Sequence, residues 1–367
     1  MTEMTWRNKI SSLLTLLTML LLSSCSGCSV KYIAQAGVGQ TKVLLKRKSV
    51  QKVINNPQTS PPVREKLEFI LEVKRYGEEK VRLKKTHSYT TYVQLDSEVV
   101  AWNLMAVPKL ELKPITWWFP IVGKVPYLGY FDYKQGKKKE EELKRKGYDT
   151  YLRGAGAYST LGWFDDPVFS SLLNYSDAVL ANIILHEMTH TTVFIEGHVA
   201  YNEGMATFVG NQASLDFLAE KFGENSKEVQ TMRDFIYNDK VFSSFIGELV
   251  EELNKVYKSD ISSAEKMKLR EEIFDNAILK FKNLPLRGYA YSSFSRHKLN
   301  NAALLSRAIY LVDLKMYEDL YEVLGRKLPE CLEFFLELEK KVKRKEISDP
   351  EKYTKDFVKM RKNNMDN

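Results

Sequence analysis

His186-Glu187-Met188-Thr189-His190 constrains this chain more than any other stretch of it. Two imidazoles four residues apart share a face only on a helix. Residues 178–192 contain no Pro or Gly. Ser176 stands where an N-cap is wanted, and Asp177 follows in the first turn, where a carboxylate suits the positive helix end. On such a helix His186 and His190 offer two ring nitrogens to one Zn²⁺. Glu187, beside that face, can take a proton from metal-activated water. The chain has 5 His and 47 acidic residues in 367. Even if every acidic residue counted as Glu, random placement would produce this pattern in at most about 0.9% of such chains. Without a metal, two histidines and a glutamate on a buried helix would themselves need polar partners.

A catalytic zinc takes three protein ligands and keeps one position open, whereas a closed structural zinc takes four. The local candidates for a third ligand are Glu196, His198 and Glu203. A metzincin would place Gly three residues and His six residues after the second histidine. Val193 and Glu196 stand there instead. Asn202 suits the N-cap of a second helix that runs to about Phe222 and stops at Gly223. That start puts Glu203 in the first turn, facing the preceding helix, with small Gly204 and Ala206 to let the two helices approach. Glu203 is therefore the expected third ligand, ahead of Glu196 and His198. Two histidines from one helix and a glutamate from the next form the gluzincin arrangement.

The N-terminus reads as an address. Arg7 and Lys9 precede an apolar run over residues 10–22, followed by Ser23-Ser24-Cys25. A charged start, a short apolar core and small residues describe a secretory signal. About 13 apolar residues are too few to cross a bilayer, which takes roughly 20. Cys25 directly after Leu22-Ser23-Ser24 resembles a bacterial lipobox, with Cys28 as the second candidate for acylation. Cys331 is then the one thiol left in the body, in an apolar stretch that suits a small core residue. The expected location is the bacterial cell envelope, lipid-anchored and facing the periplasm. A net charge of +8 fits a protein beside anionic membranes and is weak evidence for nucleic-acid binding, which is not expected.

Along the mature chain, residues 30–56 and 62–84 read as amphipathic helices. Residues 85–130, rich in Tyr, Val, Ile and Trp and broken by four prolines, read as strands and loops. Residues 133–146 read as a solvated, highly charged helix, residues 148–152 as a short strand, and nearly everything after 175 as helical. Residues 340–367 are Lys-rich and read as a frayed tail. The expected fold class is α+β, a mostly helical body with a small β-sheet beside the zinc helix pair. The expected division is a signal peptide over 1–24, a helical segment over 25–84, a catalytic domain over 85–335 and a polar tail over 336–367.

The sequence resembles the predicted zinc aminopeptidases of bacterial lipoprotein type over roughly residues 25–335. The landmarks are Tyr32-Ile33-Ala34-Gln35, Gly39-Gln40, Trp102-Asn103 with Pro108, and Phe119-Pro120 followed by Gly123. Next come Tyr127-Leu128-Gly129-Tyr130-Phe131, the run from Ala157 to Pro167, and the two-histidine motif with Asn202-Glu203. The resemblance implies a zinc metallopeptidase with His186, His190 and Glu203 as ligands, Glu187 as base and peptides as substrates. Aminopeptidase is preferred over endopeptidase on that resemblance alone. An envelope metalloendopeptidase and a non-catalytic zinc-binding scaffold are the alternatives.

Hydrolysis passes through an oxyanion that needs a donor. Tyr289 and Tyr291 are the expected donors. Residues 157–163 suit an edge strand that pairs with an extended peptide. Asp165 or Asp166 suits the α-ammonium group of an aminopeptidase substrate.

Overall fold

The computed structural model describes residues 30–119, 123–156, 165–288, 290–296, 298–308 and 314–365. The expected signal peptide, Cys25, Cys28, the edge strand over 157–163 and Tyr289 lie outside them. Among the described residues no helix is long and apolar enough to cross a membrane.

The described residues open with α1 (Val30–Leu45), β1 (Lys48–Ser49), α2 (Val50–Ile54) and α3 (Pro61–Tyr76), which runs into a π turn at Gly77–Val81. The single helix expected over 30–56 is thus broken. Ser49 caps α2 by accepting from the Lys52 N–H, and Lys48 and Ser49 pair with Tyr92 and Thr91. That pairing is long-range and leaves no mark on local periodicity. Strands β2 (Thr91–Val93), β3 (Ala101–Val107), β4 (Trp117–Phe119), β5 (Gly123–Val125) and β6 (Tyr127–Tyr130) follow. Helix α4 (Tyr133–Arg145), strand β7 (Asp149–Ala155) and strand β8 (Val168–Phe169) come next. The remainder is helical: α5 (Asp177–Thr192), α6 (Val199–Phe222), α7 (Lys227–Lys258), α8 (Ser263–Lys282), α9 (Asn301–Ala308), α10 (Lys315–Val323), α11 (Leu328–Lys343) and α12 (Pro350–Met365). The fold is α+β with a helical body.

The sheets are small. β2 pairs antiparallel with β1 and parallel with β8. β3 lies between antiparallel β6 and β7, with Leu104 opposite both Leu128 and Leu152. Both faces of β3 are covered. Leu104 and Ala106 pack with Leu128 and Leu143, while Met105 and Val107 pack with Ala302 of α9. β4 and β5 form a separate hairpin.

Two apolar clusters fill the helical body. One joins α3, α5, α6, α10 and α11 through Leu67, Ile70, Leu180, Ile184, Met205 and Phe335. Lys66 ties α3 to the start of α5, at 2.6 Å from Asp177 and 2.7 Å from the Tyr175 carbonyl. The other cluster joins α7 and α8 through Phe242, Phe245, Phe274 and Phe281. Cys331 is fully buried in the first cluster, and burial pushes its thiol up to about 12, so it is an inert core residue.

The C-terminal stretch does not fray. Asp349 caps α12 by accepting from the Lys352 N–H. Thr354 and Val358, four residues apart, bury one stripe of the helix, and the Thr354 hydroxyl meets the Tyr201 hydroxyl at 2.8 Å. The lysines on the outer face pair with Glu351 and Asp356. Its polar composition therefore belongs to a solvated face of an amphipathic helix.

Candidate metal centre and active site

α5 forms as its sequence dictates. The Ser176 hydroxyl accepts from the Val179 N–H, and Asp177 occupies the first turn. Leu180, Ile184 and Leu185 are fully buried and hold the helix in the core. His186 and His190 then emerge one turn apart on the side facing α6.

The connection between the helices is short. Val193 and Ile195 bury their side chains, and Gly197 turns the chain at φ +82°. α6 starts at Val199, one turn earlier than expected, with His198 at its cap. Asn202 is therefore not the N-cap. Its buried amide clamps the connection instead: it donates to the Ile195 carbonyl at 2.8 Å and accepts from the Ile195 N–H at 2.9 Å. Glu203 follows directly and faces the two histidines.

Close helix approach comes from a different glycine than expected. A Cβ on Gly204 would meet the Tyr317 ring of α10 at 2.7 Å, so Gly204 makes room for Tyr317. Gly210, two turns further along α6, lies against α5. A Cβ there would stand 3.2 Å from both the Cβ and the backbone nitrogen of His186. Asn182 of α5 donates to Asn211 of α6 at 2.8 Å beside this crossing.

The resulting geometry is a tight triangle. His186 Nε2 and His190 Nε2 are 3.1 Å apart, and Glu203 Oε2 is 3.5 Å from the first and 3.7 Å from the second. Such a triangle has a circumradius of about 2.0 Å, the length of a Zn–N or Zn–O bond. Glu203 Oε2 is buried without a hydrogen-bond partner, which suits an atom reserved for a cation. The three residues form a group that can hold a metal ion. Glu196 is exposed and His198 half-buried, and neither joins the group.

The three side chains are electrostatically coupled. Burial works against a charged Glu203, but His186 and His190 outweigh it and hold the carboxyl down at about 2. Burial also opposes protonation of His190, yet Glu203 and Glu187 prevail and raise it above the usual histidine value. A lowered carboxyl suits a metal ligand, whereas the raised His190 must give up its proton before its ring can coordinate, so a proton and a metal ion compete at this residue.

Tyr89 is a part of this neighbourhood that sequence reasoning missed. It is a buried, non-glycine residue at φ +64°. Its N–H donates to the Asp166 carbonyl at 2.6 Å, and the Asp166 N–H donates to Ser88 Oγ at 3.1 Å. Burial raises the Tyr89 phenol well above its usual value, and the charges of Glu187 and Asp166 raise it further. The Tyr89 phenol is thus coupled to the Glu187 carboxylate by charge. Of the two aspartates considered for an α-ammonium group, Asp166 is buried and Asp165 exposed.

Tyr291 is placed otherwise. Its ring stacks on Phe242 at 4.0 Å and its hydroxyl donates to Asp239, within the cluster of α7 and α8. Among the described residues no contact joins it to His186, His190 or Glu203.

The family model described as "Putative aminopeptidase" matches residues 31–348. No curated protein and no solved structure matches the chain at a significant level. The match spans most of the sequence, and the chain belongs to this aminopeptidase family.

Proposed function

We propose that this member of the aminopeptidase family is a zinc metallopeptidase that cleaves peptides from a free N-terminus. The observation that carries the reading is the triangle of His186, His190 and Glu203, sized for one ion, with Glu187 next to it in sequence. Glu187 also discriminates against a structural site, which would need a fourth protein ligand and no base.

His186, His190 and Glu203 would hold the zinc, which would supply Lewis acidity toward water and the scissile carbonyl. Glu187 accepts the proton of the attacking water and returns it to the leaving amine. The oxyanion that develops needs a hydrogen-bond donor. Tyr289, outside the described residues, stands for that role ahead of Tyr291, whose hydroxyl donates to Asp239. Asp165 or Asp166 supplies a carboxylate for the substrate α-ammonium group in this reading. The gluzincin assignment rests on the same helix pair. Acylation at Cys25 and an envelope location rest on the N-terminal sequence alone, and mass analysis of the mature N-terminus tests them.

Elemental analysis combined with peptide hydrolysis tests the catalytic reading. Zinc at one per chain, lost in His186→Ala, His190→Ala and Glu203→Ala but kept in Glu196→Ala, is the expected pattern. Free-amine peptides should be cleaved and N-acetylated ones spared. Equal cleavage of both would assign an endopeptidase, and zinc binding with no hydrolysis of either would assign a scaffold.

A further inference from the structure

The charge of this chain is distributed in an unusual way. Residues 65–367 carry 46 cationic and 46 anionic side chains, so their net charge is zero. The whole excess of +8 lies in residues 1–64. Between Glu3 and Glu65 there is no acidic residue at all, while Lys31, Lys42, Lys46, Arg47, Lys48, Lys52 and Arg64 follow one another. A body balanced to zero with one polybasic end is what a surface-directed electrostatic contact requires.

The fold gathers this charge in one place. The break between α1 and α2 turns the chain so that Lys46, Arg47, Lys48 and Lys52 all line one cleft of about 850 Å³. Asp96 is the one carboxylate in its lining, and it already pairs with Lys46 at 2.7 Å. Lys48 and Lys52 are exposed. The pairing of β1 with β2, Lys48 opposite Tyr92 and Ser49 opposite Thr91, brings Ser49 and Tyr92 into the same lining. At the mouth stands Leu45, 75% exposed, and Val38 one face along α1 is 57% exposed. Cations around a cleft, with bare aliphatic side chains on the adjoining helix, are the composition of an interfacial contact with lipid.

Sequence continuity names the occupant. The polybasic segment begins directly after the apolar run of residues 10–22 and the cysteines at 25 and 28. A membrane reached by that N-terminus would be met next by α1 and the cleft. We propose that the Lys46–Lys48–Lys52 cleft and the exposed side of α1 dock the protein on an anionic phospholipid bilayer, with headgroup phosphates seated among the lysines. This inference is independent of the peptidase reading. It shares with the acylation reading the premise that the N-terminus reaches a membrane, but it concerns the preference among lipids and not attachment as such.

The test is co-sedimentation of the full chain with vesicles of phosphatidylcholine alone and of phosphatidylcholine with phosphatidylglycerol. Any apolar or acyl anchor contributes to both, so the ratio of the two affinities isolates the charge effect. Lys46→Gln, Lys48→Gln and Lys52→Gln together should lower the preference for anionic vesicles by about 10²-fold, from the roughly fivefold that each lysine contributes near such a surface. Raising the salt should erase the preference in the parent protein. As a control, removing Lys352, Lys355 and Lys359 from the outer face of α12 should leave it intact. The proposal is overturned if the triple variant keeps the parent's preference, or if the α12 variant loses as much. It is overturned equally if millimolar inorganic phosphate displaces the chain from vesicles, because the cleft then takes a small free anion.

Discussion

Gly210→Ala separates the two things that the α5–α6 crossing does. The added Cβ would lie 3.2 Å from His186 Cβ, 3.2 Å from His186 N and 3.3 Å from the Asn182 carbonyl oxygen. Two of these three atoms are backbone and cannot swing aside. The helices must part by a few tenths of an ångström to restore ordinary contact. Overpacking of this kind costs about 1–3 kcal/mol. The better helix propensity of Ala returns about 1 kcal/mol. The net stability loss is therefore about 0–2 kcal/mol, small enough for the protein to stay folded. The proposed metal site is less forgiving. Glu203 rides on α6 and His186 on α5, so the 3.5 Å edge between them widens directly. A ligand set must hold within about 0.5 Å. Disturbing what supports the ligands costs roughly 10- to 100-fold in metal affinity. Competition against a chromophoric chelator should show zinc binding weakened at least tenfold, beside a thermal transition that hardly moves. Gly247→Ala in α7 is the control. A Cβ there meets nothing within 4 Å, so it should stabilise by about 0.5–1 kcal/mol and leave zinc binding alone. Parent-like zinc affinity in Gly210→Ala would show that the crossing does not set the ligand geometry.

Three further perturbations test the rest of the structure. Arg270, 3% exposed, pairs with Asp149, which also accepts from the Asn301 N–H at 3.0 Å. Arg270→Ala strands that carboxylate and should cost about 3–5 kcal/mol in urea unfolding. Asn202→Ala removes both bonds to Ile195 and should cost about 1–3 kcal/mol while also weakening zinc binding. Burial pushes the Asp239 carboxyl up to about 6, with the Tyr291 hydroxyl pulling the other way. The folded state thus holds this proton more tightly than the unfolded one. Its stabilisation is full below about pH 4 and is lost as pH rises to about 6. Asp239→Asn should flatten that slope and leave the protein up to about 3 kcal/mol more stable at pH 7, read from melts across pH 4–7.

What the sequence revealed of the site was whatever lay within one helix. Ser176, Asp177 and the four-residue step from His186 to His190 are local patterns, and the structure reproduces their helix. Glu203 was legible because only a short connection separates it from His190. What escaped were choices settled by distant partners. Asn202 has the chemistry of a cap, but a carbonyl and an N–H at Ile195 claim it. Gly204 looked like the contact residue, yet Tyr317 fills the space beside it. Gly210 carries no sequence mark that separates it from Gly204. Tyr89 enters through a left-handed turn held by Asp166, far away in sequence. The same reasoning explains the rest of the fold. Composition alone makes residues 340–367 read as a frayed tail, whereas within the helix over Pro350–Met365 Thr354 and Val358 find a buried surface that only the assembled body offers. The break at residues 46–49 follows from strand pairing with residues 91–92, which helical periodicity cannot register.

Zinc content and turnover measured side by side in Glu187→Gln test the central claim most directly. The substitution keeps size and removes basicity, and Glu187 stands beside the ligand triangle without belonging to it. Zinc should remain at the parent level while hydrolysis of free-amine peptides falls by about 10²-fold or more, the usual loss when a positioned general base is removed. Unchanged turnover in the zinc-loaded variant would contradict the account, because the proton of the attacking water would then be taken by another group.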